Sequence, residues 1–198
     1  MSEDIMDVLN RFSLEAKKYL DLTDKDVSLL RRSSVFLLEK LDTIASNVLN
    51  SLLSNEEALN IAKRAGLSKE KAVDLFKYWY RLLLIGSFDE RYAVEIFKIG
   101  LAHAKSGVSE KLMILNMGAF IRETLKAIKD TGDMELAIAL SKIFMWNLCL
   151  MIYSYLYVRG EFFRESTGIS KELFERLMLI KSKEAYERIR KLIEDRYR

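Results

Sequence analysis

Histidine and cysteine, the side chains most used to ligate transition metals or to act as strong nucleophiles, are nearly absent from this sequence. The chain has one histidine, His103, in the stretch IGLAHAKSG, and one cysteine, Cys149, in the apolar run MWNLCLMIY. A single cysteine forms no intramolecular disulfide and no zinc site built on two or more thiolates. No H-x-x-E-H or E-x-x-H grouping accompanies His103, so a multi-histidine zinc or iron centre is excluded. G-x-G-x-x-G and P-loop motifs are absent, which removes the familiar dinucleotide and nucleotide cradles.

His103 sits on a helix-forming segment, DERYAVEIFKIGLAHAKSG, where Tyr92, Ile96, Ile99, Gly100 and His103 share one face. Gly100, one turn below the histidine, lets another helix or a flat, bulky guest come close. Spacing leaves two readings open. The imidazole is either a core side chain hydrogen-bonded to a carbonyl one turn back, or a metal ligand. If it is a ligand, haem is the common metal cofactor that asks for just one protein donor, because the porphyrin supplies four nitrogens.

The elements that must position this residue are all helical. The 198 residues include no proline, no strand-like alternation of any length and no low-complexity linker. One helix is expected over about residues 3 to 20, with Ile5, Leu9, Phe12, Ala16 and Tyr19 on one stripe. Thr23 and Asp26 resemble a capping box that opens a long second helix ending near Leu53. Ser54 with Glu57 opens a third helix closed by Gly66, and Ser68 opens a fourth running to about Leu84. Asp89 caps the helix carrying His103, and Gly107 ends it. Helices over about 109–130 and 133–159, then one from Ser170 onward with Phe174, Met178, Ala185, Ile189 and Leu192 on a face, complete seven or eight in all. The loops are too short to mark a domain boundary, so a single domain is expected.

Composition narrows the function classes. Lys and Arg total 32 against 29 Asp and Glu, a net charge of +3 spread along the chain, which gives no basic face for nucleic acid. The basic tail RIRKLIEDRYR is interrupted by acids and reads as a solvated helix face. The uncharged stretch from Ile143 to Val158 is shorter than the roughly 20 residues of a membrane span. It reads as a buried core helix, within the domain or partly at a subunit contact. The lone cysteine and the acidic, mixed N-terminus MSEDIMDVLNRF fit the cytoplasm.

The stretch LLIGSFDERYAVEIFKIGLAHAKSG resembles the signature of the globin-coupled sensor and protoglobin family, carried here by Leu83, Leu84, Gly86, Phe88, Asp89, Tyr92, Ile99, Gly100, His103 and Gly107. LTDKDVSLLRR resembles the start of that family's globin domain and MWNLCLMIYSYL its last globin helix, so the resemblance covers about residues 20 to 160. It implies an all-α, globin-like fold over residues 1–198, with a pre-globin helix at 1–20, a globin core at 21–160 and a helical extension at 161–198.

The resemblance implies further that His103 is the proximal ligand to the iron of haem b, with Leu84, Phe88, Ile99, Val108 and Phe120 as haem neighbours. It places Trp79 and Tyr78 where the family carries a distal-side pair, although ordinary aromatic packing explains them equally well. Two positions depart from the family pattern. Asn50 stands where a tyrosine often donates to the bound gas, and Met113 where a hydroxyl often supports the proximal histidine. An amide still donates a hydrogen bond, whereas a thioether does not. The implied function is binding or sensing of a diatomic gas (oxygen, nitric oxide or carbon monoxide), by ligand binding rather than turnover. The signal would go to a separate partner or to a second subunit of a homodimer, with no nucleic acid and no membrane span. The alternatives are a haemless globin-fold interaction module and a haem enzyme of the nitric oxide dioxygenase kind.

Overall fold

Local sequence signals set most helix boundaries. The computed structural model describes residues 4–196, with only the backbone of Lys171 described. Asp4 opens α1 (Ile5–Tyr19), its carboxylate accepting from the Met6 N–H at 2.9 Å. The Thr23/Asp26 capping box opens α2 (Asp24–Glu39) with both reciprocal bonds in place. Side-chain caps from Ser68, Asp89 and Ser109 start α5 (Lys69–Ile85), α6 (Glu90–Lys105) and α7 (Glu110–Ile128). Each satisfies an N–H that the first turn leaves without an intrahelical partner. A 3₁₀ turn, Lys129–Thr131, leads through the left-handed Gly132 to α8 (Met134–Thr167), and α9 spans Lys171–Arg196.

Four expectations need correction. The long second helix is two helices, α2 and α3 (Leu41–Leu53), broken at Lys40, whose N–H turns back to the Leu37 and Leu38 carbonyls. No glycine or proline marks that break. Leu37, Leu41 and Ile44 are all buried beside it, so packing of two separate apolar faces sets the bend. The next helix, α4 (Glu56–Arg64), is capped by Asn55 rather than Ser54. α8 runs on through Gly160 to Thr167, beyond the expected end near 159, and nine α-helices result among the described residues. In α1 the expected stripe buries Leu9 and Ala16, but Tyr19 is 91% exposed.

Two compact units divide the chain between Tyr155 and Leu156. In the first, α3 packs on α5, α7 and α4, α2 on α5, and α1 on α6. Its core is aromatic: Trp146, Tyr80, Phe120 and Phe144 are its largest fully buried side chains, with the Phe120 ring edge-on to Trp79 at 4.8 Å. Glu123 on α7 is buried yet fully partnered, by Asn47 of α3 at 3.1 Å, Arg122 at 2.7 Å and Lys126 at 3.0 Å. In the second unit Gly168, with φ +69°, turns the chain into α9, and Phe163 meets Phe174 at 5.0 Å. Met178, Ile189 and Leu192 on α9 are exposed.

By length and composition alone α8 could cross a membrane, yet half of its most apolar window is buried inside the protein. The buried set includes Asn147, an amide that hydrocarbon would leave costly to place. Here it bonds within the core, as described next.

Candidate functional site

The approach to His103 begins at the corner Gly86-Ser87-Phe88-Asp89. Phe88 has φ +55°, an uncommon backbone for a residue with a bulky side chain. Three groups hold it there. The Lys17 ammonium of α1 donates to its carbonyl, its ring lies 5.1 Å from Tyr92, and Arg31 of α2 lies 6.0 Å from the ring and donates to the Gly86 carbonyl at 3.4 Å. Lys17 is itself 4.6 Å from the Trp146 ring centre, and burial pulls its pKa down despite Asp89 and Asp24 nearby. Gly86 answers a close approach: a Cβ there would sit 2.5 Å from the Tyr92 ring. The corner ends in the Asp89 cap, so the direction in which α6 leaves is set from both sides.

The apolar face of α6 is divided along its length. Tyr92, Ile96 and Gly100 are buried toward α8. The Tyr92 hydroxyl donates to Asn147 Oδ1 at 3.0 Å, Trp79 Nε1 donates to the same oxygen at 3.2 Å, and Asn147 Nδ2 donates to the Ile143 carbonyl at 2.9 Å. Burial pushes the Tyr92 phenol well above its ordinary pKa, so it remains a donor. At Gly100 a Cβ would meet the Ser154 hydroxyl and lie 2.7 Å from the Met151 carbonyl. The close approach permitted by Gly100 is therefore that of α8. Beyond it, Ile99, Ala102, His103 and Ser106 line a cavity.

His103 is anchored to its own helix. Its Nδ1 lies 2.7 Å from the Ile99 carbonyl, and because a carbonyl only accepts, Nδ1 carries the proton. Nε2 is left as an unprotonated lone pair with no hydrogen bond among the described residues. Burial lowers the imidazole pKa, and the bond to Ile99 offsets part of that shift, so the ring is held in its neutral form. The helix then stops in a Schellman turn: Val108 N–H reaches the His103 carbonyl at 3.0 Å and Gly107 N–H the Ala104 carbonyl at 3.1 Å, with Gly107 at φ +75°. That turn delivers Val108 to the cavity wall.

The cavity, about 450 Å³, falls in the size range of small-molecule and cofactor sites. Helix α4 supplies Ala58, Ile61 and Ala62, its C-cap supplies Ala65, and α5 supplies Phe76, Tyr78 and Trp79. From α7 come Met113, Asn116, Met117 and Phe120, and from α8 Met151. No lysine, arginine, aspartate or glutamate lines it. Tyr78 is 54% exposed and stands at the rim, whereas Trp79 is buried with its N–H committed to Asn147. Asn116 Oδ1 is buried with no hydrogen-bond partner among the described residues.

Of the residues singled out in the sequence, the fold brings His103, Ile99, Val108, Phe120, Trp79 and Tyr78 to this cavity, with Met113 among them. Leu84 and Phe88 are core residues outside its lining, and Asn50 is exposed on α3, also outside it. Sequence reasoning passed over the α4 wall and Asn116. The signals were present: alanines at 58, 62 and 65 leave one helix face low, and Asn116 is a polar residue in the apolar stripe Leu112, Met113, Met117, Phe120.

The donor set constrains what metal chemistry is possible. Among the described residues no three His, Cys, Asp or Glu side chains converge on a point. A metal held by His103 must bring its other ligands with it, and an apolar cavity with one neutral imidazole and one unpaired amide fits haem on these terms.

Comparison with known proteins agrees with this architecture. The chain is similar to the globin domain of the Geobacter sulfurreducens globin-coupled sensor, with 27% identity, a TM-score of 0.67, and coverage of 72% of this chain and 96% of that one. No curated protein matches it. A sequence model of the protoglobin family matches residues 13–159, from within α1 to well along α8, and so takes in every helix that lines the cavity. The chain belongs to the protoglobin family.

Proposed function

We propose that this protein is a haem-binding globin that binds or senses a diatomic gas, with His103 as the single protein ligand to the iron of haem b. The observation that carries this reading is the neutral His103, its Nδ1–H tied to Ile99 and its Nε2 free, beside an apolar cavity. Haem, when bound, supplies an iron centre able to take oxygen, nitric oxide or carbon monoxide. The rest is done by the chain. The Ile99 carbonyl fixes the tautomer and orientation of the ring, the role Met113 lacks the hydroxyl to fill. Ile99, Val108, Met117 and Phe120 exclude water, and the low α4 wall leaves room for a flat guest.

Sensing requires that movement at His103 reach other elements. α6 lies close against α8 at Gly100, where it meets the Met151 backbone and the short Ser154 side chain, and Tyr92 joins Asn147 at the other end of that contact. Displacement of His103 is therefore passed to α8 as a rigid shift rather than absorbed by side chains. The family match ends at 159, which supports reading residues 161–198 as a helical extension beyond the globin core. Exposed Leu156, Phe162 and Phe163 on α8 support a homodimer through its last helices or a separate signalling partner. A cavity without an acid or a base other than His103 favours ligand binding over turnover.

The test is the ferrous absorption spectrum, with and without carbon monoxide, after haem supplementation. A Soret band that shifts with carbon monoxide and is lost in His103→Ala is expected. No band, or one indifferent to His103→Ala, overturns the reading.

A further inference from the structure

Two side chains on the cavity wall, from consecutive helices, carry polar atoms without a hydrogen-bond partner among the described residues: His103 on α6 through Nε2, and Asn116 on α7 through its amide, whose Oδ1 is buried. Trp79 Nε1 is bonded to Asn147, and the Ser106 hydroxyl donates to the Ala102 carbonyl at 2.9 Å. A buried carbonyl left unpaired costs free energy, so natural cores rarely keep one without a use. Rotation about the last side-chain bond exchanges Oδ1 with Nδ2, so Asn116 offers the cavity either an acceptor or a donor.

We infer that the Asn116 amide is the hydrogen-bonding group that meets the diatomic ligand bound in this cavity. The inference rests on the haem reading and assigns to Asn116 the place the sequence suggested for Asn50, which lies exposed outside the lining. The competing use, contact with a haem carboxylate, is disfavoured by the surroundings. Oδ1 is shielded from solvent, and no lysine or arginine lines the cavity to neutralise a carboxylate there. A small uncharged molecule carries no such penalty.

Asn116→Leu and Asn116→Gln in the haem-loaded protein test this. In Asn116→Leu the infrared stretching band of bound carbon monoxide moves to higher frequency and oxygen dissociates about tenfold faster, the loss of one hydrogen bond. Asn116→Gln restores part of both. In the haem-free protein, Asn116→Leu melts at a higher temperature, because the unpaired carbonyl is gone. An unchanged carbon monoxide band with weakened haem retention assigns Asn116 to the porphyrin edge and overturns the inference. A lower melting temperature of haem-free Asn116→Leu ties the amide into the fold and also overturns it. Absence of a Soret band in the unsubstituted protein fails the haem reading itself, whereas a normal Soret band with an unmoved carbon monoxide band fails this inference alone.

Discussion

Asn147 and Asn116 are two asparagines placed among apolar neighbours, and they behave in opposite ways. Asn147 accepts from Trp79 and Tyr92 and donates to Ile143, so its amide joins α5, α6 and α8. Asn116, on the cavity wall, has a buried oxygen with nothing to bond. The Asn147 amide is spent on joining helices, whereas the Asn116 amide on the cavity wall is left available. A buried polar group is therefore informative in proportion to what remains unsatisfied, since closed networks fix a fold and open ones await a ligand.

Substitutions sharpen that contrast. The largest effect is expected on the closed side: Asn147→Leu strands the Trp79 N–H and the Tyr92 hydroxyl in the core and costs about 3 to 5 kcal/mol, read from denaturant unfolding. A cost below that of Gly100→Ala would show that the network is not what joins the three helices. Gly100→Ala comes next, at about 1 to 3 kcal/mol, because its Cβ meets the Met151 backbone of α8 as well as the Ser154 hydroxyl. Its melting temperature falls, and a neutral result would mean that α6 and α8 separate freely.

Lys17→Met is expected to cost about 1 to 2 kcal/mol, from the bond to the Phe88 carbonyl and the contact with the Trp146 ring. Amide hydrogen exchange should speed up in the first turn of α6 and leave α3 unchanged; a uniform change would argue against local control of the corner. The smallest effect is acid sensitivity at the junction of α2 and α8. Burial pushes the Asp26 carboxyl up, but bonds from Thr23 and from Lys142 at 3.1 Å outweigh it and hold its pKa below the ordinary value. A depressed carboxyl contributes stability above the unfolded aspartate value, near 3.9, that is lost as pH falls through the folded value. Asp26→Asn should therefore lower the neutral plateau by the amount it removes from the acid limb, flattening the stability curve below about pH 4. An acid limb of unchanged slope would remove Asp26 from that account.

Much of the local structure was legible because its causes are local. The Thr23/Asp26 box, the Ser68 and Asp89 caps and the Gly107 stop each act within a few residues, and the helices begin and end there. The bend at Lys40 and the run of α8 past Gly160 were not legible, since neither involves a residue that forbids or demands the observed backbone. At the site, periodicity placed Ile99 and His103 on one face but could not separate the neighbours that face meets. Leu84 and Phe88 have the same apolar character as Val108 and Phe120, yet the first two lie outside the cavity's lining and the others on it.

By itself the sequence determined the helical class, the caps, and that any metal here has one histidine to rely on, because these depend on residue identity and short spacings. Only the tertiary structure decided which helix fills the space at Gly100, which amide is satisfied and which is left open, and that α4 supplies a cavity wall. Each of those is a relation between residues far apart in the chain, and helical periodicity has no information about what stands across from a face.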